Sequence, residues 1–152
     1  MKDEDFGYKR IVKELEELGK LKLIIYIDNQ KTYEKTGASV DDIAMIMEYG
    51  SEEFNVSFPA RPFFRPTFDA HYEHFAKKIE IGTGNIISGK STARKVLQDV
   101  GRYAVKKVRE MIQNGKFPDL DEKTIKRKKS KKPLIDTKLL YRSIKYKIER
   151  SE

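Results

Sequence analysis

Apolar residues recur at helical spacing, then run together or alternate, then return to helical spacing along this chain. Tyr8–Lys20 places Ile11, Leu15 and Leu18 on one face, which predicts an amphipathic helix with Gly19 as its C-cap. Leu21–Ile27 is apolar and β-branched up to the turn pair Asp28-Asn29, which predicts a strand. Residues 31–38 are polar and predict a loop or a short second strand. Ser39 is placed to cap a helix whose first turn holds Asp41 and Asp42, carboxylates favoured at the positive end of a helix dipole. Gly50 is placed to end that helix as an αL cap.

Pro59, Pro62 and Pro66 exclude a helix over residues 51–66, because each restricts its own φ and pushes the preceding residue toward extended backbone. Helix resumes with Pro66 in the first turn and runs toward Lys78, with Phe64, Phe68, His71 or Tyr72, and Phe75 at helical spacing. Gly82, Gly84 and Gly89 predict a loop. Residues 91–114 predict the longest helix, its inner face made by Val96, Leu97, Val100, Tyr103, Ala104, Val108, Met111 and Ile112, with Gly115 ending it. Residues 116–132 form a charged connector without apolar periodicity. Asp136 or Thr137 predicts the cap of one or two helical turns through Ser143, and residues 144–148 alternate as a final strand. The expected fold class is α+β: a small, mostly antiparallel sheet packed by one long helix (91–114) and shorter helices, in a single domain over residues 1–152.

A chain of 152 residues buries enough surface to fold without a disulfide or metal staple. It has no cysteine, which excludes thiol chemistry and Cys-based zinc sites. The acidic start, Met1 to Asp5, precedes no apolar h-region, and no apolar run reaches the roughly 20 residues of a membrane span. The expectation is a soluble protein without a membrane partner. Charge adds more: residues 1–76 carry 10 Lys/Arg and 15 Asp/Glu, so the surplus behind the net +8 lies wholly in residues 77–152. Such asymmetry suits a nucleic-acid surface, or subunits that meet acidic face to basic face around a ring.

Residues 84–91, Gly-Asn-Ile-Ile-Ser-Gly-Lys-Ser, fit the phosphate-loop pattern G-x-x-x-x-G-K-[ST] in full. Their context argues against a nucleotide-hydrolysing domain. Residues 78–81 are a poor preceding strand, and no strands remain downstream for a doubly wound sheet. A structural loop with a helix cap is the expectation. Residues 123–132 carry seven positive charges in ten positions. Lys126, Arg127, Lys128, Lys129, Lys131 and Lys132 would grip DNA in a salt-sensitive, sequence-blind way, or dock on an acidic neighbour. His71 and His74 share a helix face but lack the further ligands a zinc site needs. The pairs Asp41-Asp42 and Glu52-Glu53 read as helix-start and loop charges. No catalytic, metal or cofactor residues are expected.

Two blocks remain. The first is Ile43-Ala44-Met45-Ile46-Met47-Glu48-Tyr49-Gly50 followed by Phe58-Pro59-Ala60-Arg61-Pro62-Phe63-Phe64; the second is Lys132-Pro133-Leu134-Ile135-Asp136-Thr137-Lys138-Leu139-Leu140-Tyr141-Arg142-Ser143-Ile144. In that order they resemble the neck and tail-completion (head–tail joining, virion morphogenesis) proteins of tailed bacteriophages. Those proteins show A-x-I-x-E-x-G … P-A-R-P-F and later P-L-x-D-T-G-x-L-x-x-S-I. This chain departs by placing Lys138 where glycine is usual, a steric burden if that position needs φ > 0, and by a Met-rich first block with Met45 and Met47.

The resemblance implies a non-enzymatic structural virion protein at the head–tail junction, made in the host cytoplasm. It implies a homo-oligomeric ring, six-fold symmetry suiting the tail tube, that joins connector or stopper proteins to tail terminator or tube proteins, with DNA in its channel. The interface residues it implies are Glu48, Gly50, Pro59, Arg61, Pro62, Phe63, Asp136, Thr137, Leu139 and Ser143. Phe63 or Phe64 is expected inward and Arg61 outward. The alternative is a DNA-binding accessory protein that uses the Lys/Arg-rich connector.

Overall fold

The computed structural model describes residues 5–34, 37–50, 59–115 and 138–152. Among them run five helices and two strands: α1 (Tyr8–Lys20), β1 (Leu21–Ile27), α2 (Val40–Tyr49), α3 (Arg65–Ile87), α4 (Ala93–Asn114), α5 (Leu139–Ser143) and β2 (Ile144–Arg150). The two strands form an antiparallel sheet, so the α+β class holds. Helix α1 and strand β1 keep their expected bounds, although Gly19 is helical and the chain turns extended only at Leu21. In the polar stretch after β1, Thr32 and Ser39 form an isolated antiparallel bridge. Asp136, Thr137 and the basic run at 126–132 lie outside the described residues.

The chain divides into two compact units. One comprises Met1–Ile24, His71–Ala104 and Tyr146–Glu152; the other comprises Ile25–Ala70 and Val105–Lys145. In the first, the Ser151 N–H donates to the Lys20 carbonyl at 2.7 Å, which sets the register there. Alternation along the strands then puts Leu21, Leu23 and Ile148 on one face. These side chains close a core with Ile86 of α3 and Ala93, Val96 and Leu97 of α4.

Two glycines decide how closely these parts approach. A Cβ on Gly82 would lie 2.4 Å from Val96 Cγ1, and one on Gly101 would lie 2.5 Å from Cδ2 of the Tyr146 ring. Gly82 is therefore a contact glycine inside a helix, which corrects the loop expected at 82–89. Helix α3 runs through Gly82 and Gly84 to Ile87, and its 23 residues match the 22 of α4. The true turn falls at Gly89, with φ 78°.

Helix α1 buries no residue completely and is tied down by charge. Arg10 Nη2 donates to the Ile86 carbonyl at 2.9 Å, Glu14 accepts the Ala93 N–H at 2.8 Å, and Arg150 pairs with Glu17. The first two ties place a cation at the end of α3 and a carboxylate at the start of α4, both favoured by the helix dipoles.

In the second unit, Ser39 caps α2 by accepting the Asp42 N–H, with Asp41 and Asp42 in the first turn. Gly50 ends α2 with φ 77° and ψ 175°, a positive φ but an extended exit rather than the αL cap expected. Helix α2 packs against α5. Arg109 holds the far end of α5: its Nε and Nη2 donate to the Tyr141 and Ile144 carbonyls, each at 3.0 Å, while its guanidinium lies 5.1 Å from the Tyr141 ring centre.

The two helical glycines of α3 separate packing from propensity. Gly82→Ala gains about 1 kcal/mol of intrinsic helix preference, but overpacking against Val96 takes back about 1–3 kcal/mol, so the net effect is destabilising. Gly84→Ala meets no atom within 4 Å and stabilises by up to about 1 kcal/mol. Urea denaturation of both variants reads the opposite signs, and a stabilised Gly82→Ala would show that the close contact is wrong.

Candidate interaction surface

Residues 59–64, which lead into α3, include Pro59 and Pro62, and the first N–H groups of a helix have no acceptor within it. One side chain satisfies three N–H groups at this junction. Glu48, on the buried side of α2, accepts the Phe63 and Phe64 N–H groups at Oε2 and the Arg65 N–H at Oε1, each at 2.9 Å. Arg65 Nε adds a fourth bond to Oε1 at 3.2 Å. The carboxylate thus fills the place of an N-cap for α3, supplied from another helix, where the dipole favours negative charge. Burial by itself would raise the Glu48 pKa, yet the bonds from Phe64, Arg65 and Phe63 and from the Arg65 side chain outweigh it and hold the carboxyl below its usual range.

The rest of the first block follows from this clamp. Phe63 is fully buried, as expected, and its carbonyl accepts the Thr67 hydroxyl at 2.7 Å. Pro62 is half-buried and Pro59 exposed. Arg61 departs from the outward placement expected of it. Its N–H donates to the Met47 carbonyl at 2.7 Å, its side chain is half-buried, and its Nε is buried with no hydrogen-bond partner among the described residues. With Glu48 turned inward, α2 leaves Met45 (59% exposed), Ile46 and Tyr49 (56%) facing out. The Arg65 guanidinium stacks over the Tyr49 ring at 4.6 Å.

The second block meets the first through the packing of α2 on α5. Leu139 is half-buried, and Ser143 is buried with its hydroxyl donating to the Leu139 carbonyl at 2.8 Å. Lys138 precedes α5 with φ 58° and ψ 10°. It is the one non-glycine residue with positive φ among those described, so the position does have the backbone that glycine suits.

The phosphate-loop pattern has a different structure. Residues 84–87 are the last turn of α3, and the chain then enters α4 within a few residues, a helix–turn–helix rather than strand–loop–helix. The N–H groups that would cradle a phosphate are taken. Gly89 N–H donates to the Ile86 carbonyl, Lys90 and Ser91 N–H both donate to the Asn85 carbonyl, and Ala93 N–H is held by Glu14. The first two of these bonds, with Gly89 at positive φ, form a Schellman C-cap.

Compared with known proteins, the chain matches no family model, no curated protein and no solved structure.

His71 and His74 lie with ring centres 5.7 Å apart, and His71 packs on Phe75 and Tyr103. Among the described residues no three His, Asp or Glu side chains converge as metal ligands, and no helix is long and apolar enough to cross a membrane. Sequence reasoning singled out Glu48 only as part of a block and missed Arg10, Glu14 and Arg109 altogether. A glutamate before a glycine and ahead of a proline-spaced aromatic run is a usable signal for the first. The three others look like ordinary charges on amphipathic helices.

Glu48→Ala strands the Phe63 and Phe64 N–H groups and is expected to cost roughly 3 kcal/mol. The pH dependence has a definite sign. Because the folded pKa lies below the unfolded value near 4.5, the stabilisation is complete above that value and is lost as pH falls through the folded pKa. Urea unfolding from pH 7 to pH 3 should show this loss in the wild type and a smaller one in Glu48→Gln; equal slopes would refute the clamp.

Proposed function

We propose that this chain is a structural protein of a tailed-phage virion, acting at the head–tail junction as a neck or tail-completion subunit that repeats around a ring. What supports the reading most is the meeting of its two sequence blocks. Segments far apart in the chain, alike in pattern to one group of joining proteins, pack together as α2 on α5. Their buried members, Glu48, Phe63 and Ser143, serve folding. Their exposed members, Met45, Ile46 and Tyr49, with Arg65 next to the end of the first block, supply flexible thioether, aromatic and guanidinium surface of the kind that anchors protein interfaces.

The sheet adds to this. Among the described residues it has only two strands, and a small sheet of this kind is one to which a neighbouring subunit can add a strand. The acidic first half and basic second half then set the register of repeated head-to-tail contacts.

A stop codon early in the gene of the phage that carries it should leave filled heads and separate tails in lysates viewed by electron microscopy. Normal infectious virions would reject the role. Arg61→Ala is the sharper variant, because the Nε of Arg61 has no partner to strand among the described residues. It should abolish joining while the purified protein keeps its thermal midpoint within a few degrees; unfolding instead would make Arg61 a folding residue.

A further inference from the structure

Helix α3 is thinly covered where it runs through the first unit. Over residues 72–81 every residue except Phe75 is exposed, whereas α4 buries Ala93, Val96, Leu97, Val100 and Ala104 in the same unit. Two side chains of this stretch turn toward α4. The Phe75 and Tyr103 ring centres lie 5.7 Å apart, and the Lys78 ammonium lies 4.5 Å from the centre of the same Tyr103 ring. A helix in a protein draws most of its stability from packing one face, so a bare stretch in the middle of α3 calls for a partner.

The bare stretch carries a pattern. Tyr72, Ala76, Ile79, Thr83 and Ile87 recur at intervals of four, three, four and four residues and so share one stripe of helix surface. Tyr72 is 73% exposed, Ile79 39% and Ile87 52%. Thr83 has its hydroxyl bound to the Ile79 carbonyl at 2.9 Å, and no charged residue interrupts the stripe. Along the edge away from Phe75 and Lys78 stand Glu73, Lys77 and Glu80, all exposed, with Lys77 and Glu80 paired at 2.9 Å.

We infer that the stripe packs on α3 of a second copy of this chain, the two helices antiparallel about a two-fold axis beside Ile79. The order of charge selects this occupant, because a two-fold contact needs a patch complementary to itself. An axis midway between Lys77 and Glu80 sets Lys77 of each copy against Glu80 of the other, two exposed pairs that fix register more than affinity. A parallel pair would set the same edge against the Lys78 side of the other helix and lose both. The antiparallel register also interleaves the stripes. Ile79 of the two copies meet at the axis, Ala76 of each falls between Ile79 and Thr83 of the other, and Tyr72 falls between Thr83 and Ile87. The stripe is about 22 Å long at 1.5 Å per residue, so the contact belongs with the small, reversible class of interfaces. It requires neither a ring nor a virion partner and is independent of the head–tail reading.

The test is disulfide trapping in the full chain, which has no cysteine of its own. Mild oxidation of Ile79→Cys should give a covalent dimer on a non-reducing denaturing gel, a readout that other contacts between copies do not disturb. Ile81→Cys, more exposed at 55% but on the opposite side of the helix, should give several-fold less. Adding Lys77→Glu to Ile79→Cys should cut the yield several-fold, and adding Glu80→Lys as well should restore it, because the exchanged charges pair again across the axis. All four positions are exposed, so the thermal midpoint should hold within a few degrees in each variant. Equal yields from the two cysteine positions, or a charge exchange that fails to restore the dimer, would overturn the two-fold contact. An Ile79→Cys chain that stays monomeric on oxidation would overturn it too and leave the stripe to a different partner.

Discussion

The buried carboxylate of Glu48 is the constraint on which the second unit turns. Proline after proline in the segment before α3 removes the local means of satisfying backbone donors, and the start of any helix leaves more of them open. An acceptor oxygen from outside the segment has to meet them. A carboxylate does this better than an amide, because both of its oxygens accept and its charge is favoured at a helix start. Here the two oxygens collect four bonds. The geometry then dictates the rest of α2: with Glu48, Ala44 and Val40 inward, the positions one and two steps round the helix must face out, and these are Met45, Ile46 and Tyr49.

The first unit repeats the device with a different helix. Helix α1 buries no residue completely, but Arg10 and Glu14 stand one turn apart on it and meet the end of α3 and the start of α4. A cation on orphan carbonyls and a carboxylate on an orphan N–H are each the favoured partner of that helix end. The same contacts explain why a phosphate-loop sequence can exist without a phosphate loop. Glycine at 89 stops one helix, Thr92 opens the next by accepting the Lys95 N–H, and the intervening Lys90-Ser91 completes the pattern by composition alone. A resident carboxylate already holds the position at the α4 start where an anion would bind.

Periodicity made the fold class legible because it reports which residues face a core. The bounds of α1 and β1 followed from it, as did most of the inner face of α4. It was silent where glycine serves contact rather than turn. Gly82 and Gly84 look alike in sequence, yet only Gly82 has Val96 against it, a fact that belongs to α4 and not to the local chain. Val105, buried in α4, escaped for a related reason, since it widens the inner stripe beyond what a narrow helical face requires. The candidate surface was legible as residue types in a pattern, but not as roles. Nothing local distinguishes Glu48, which folds the segment, from Arg61, whose Nε has no partner among the described residues.

That division of labour bears on how such a block should be read. If Glu48, Phe63 and Ser143 are consumed by folding, they cannot themselves recognise a partner, and any interaction must be carried by the residues they expose. Partner choice would then vary through Met45, Ile46, Tyr49 and Arg65 while the clamp stays fixed. Lys138 is the converse case. Its backbone asks for glycine, so folding gains nothing from a lysine there.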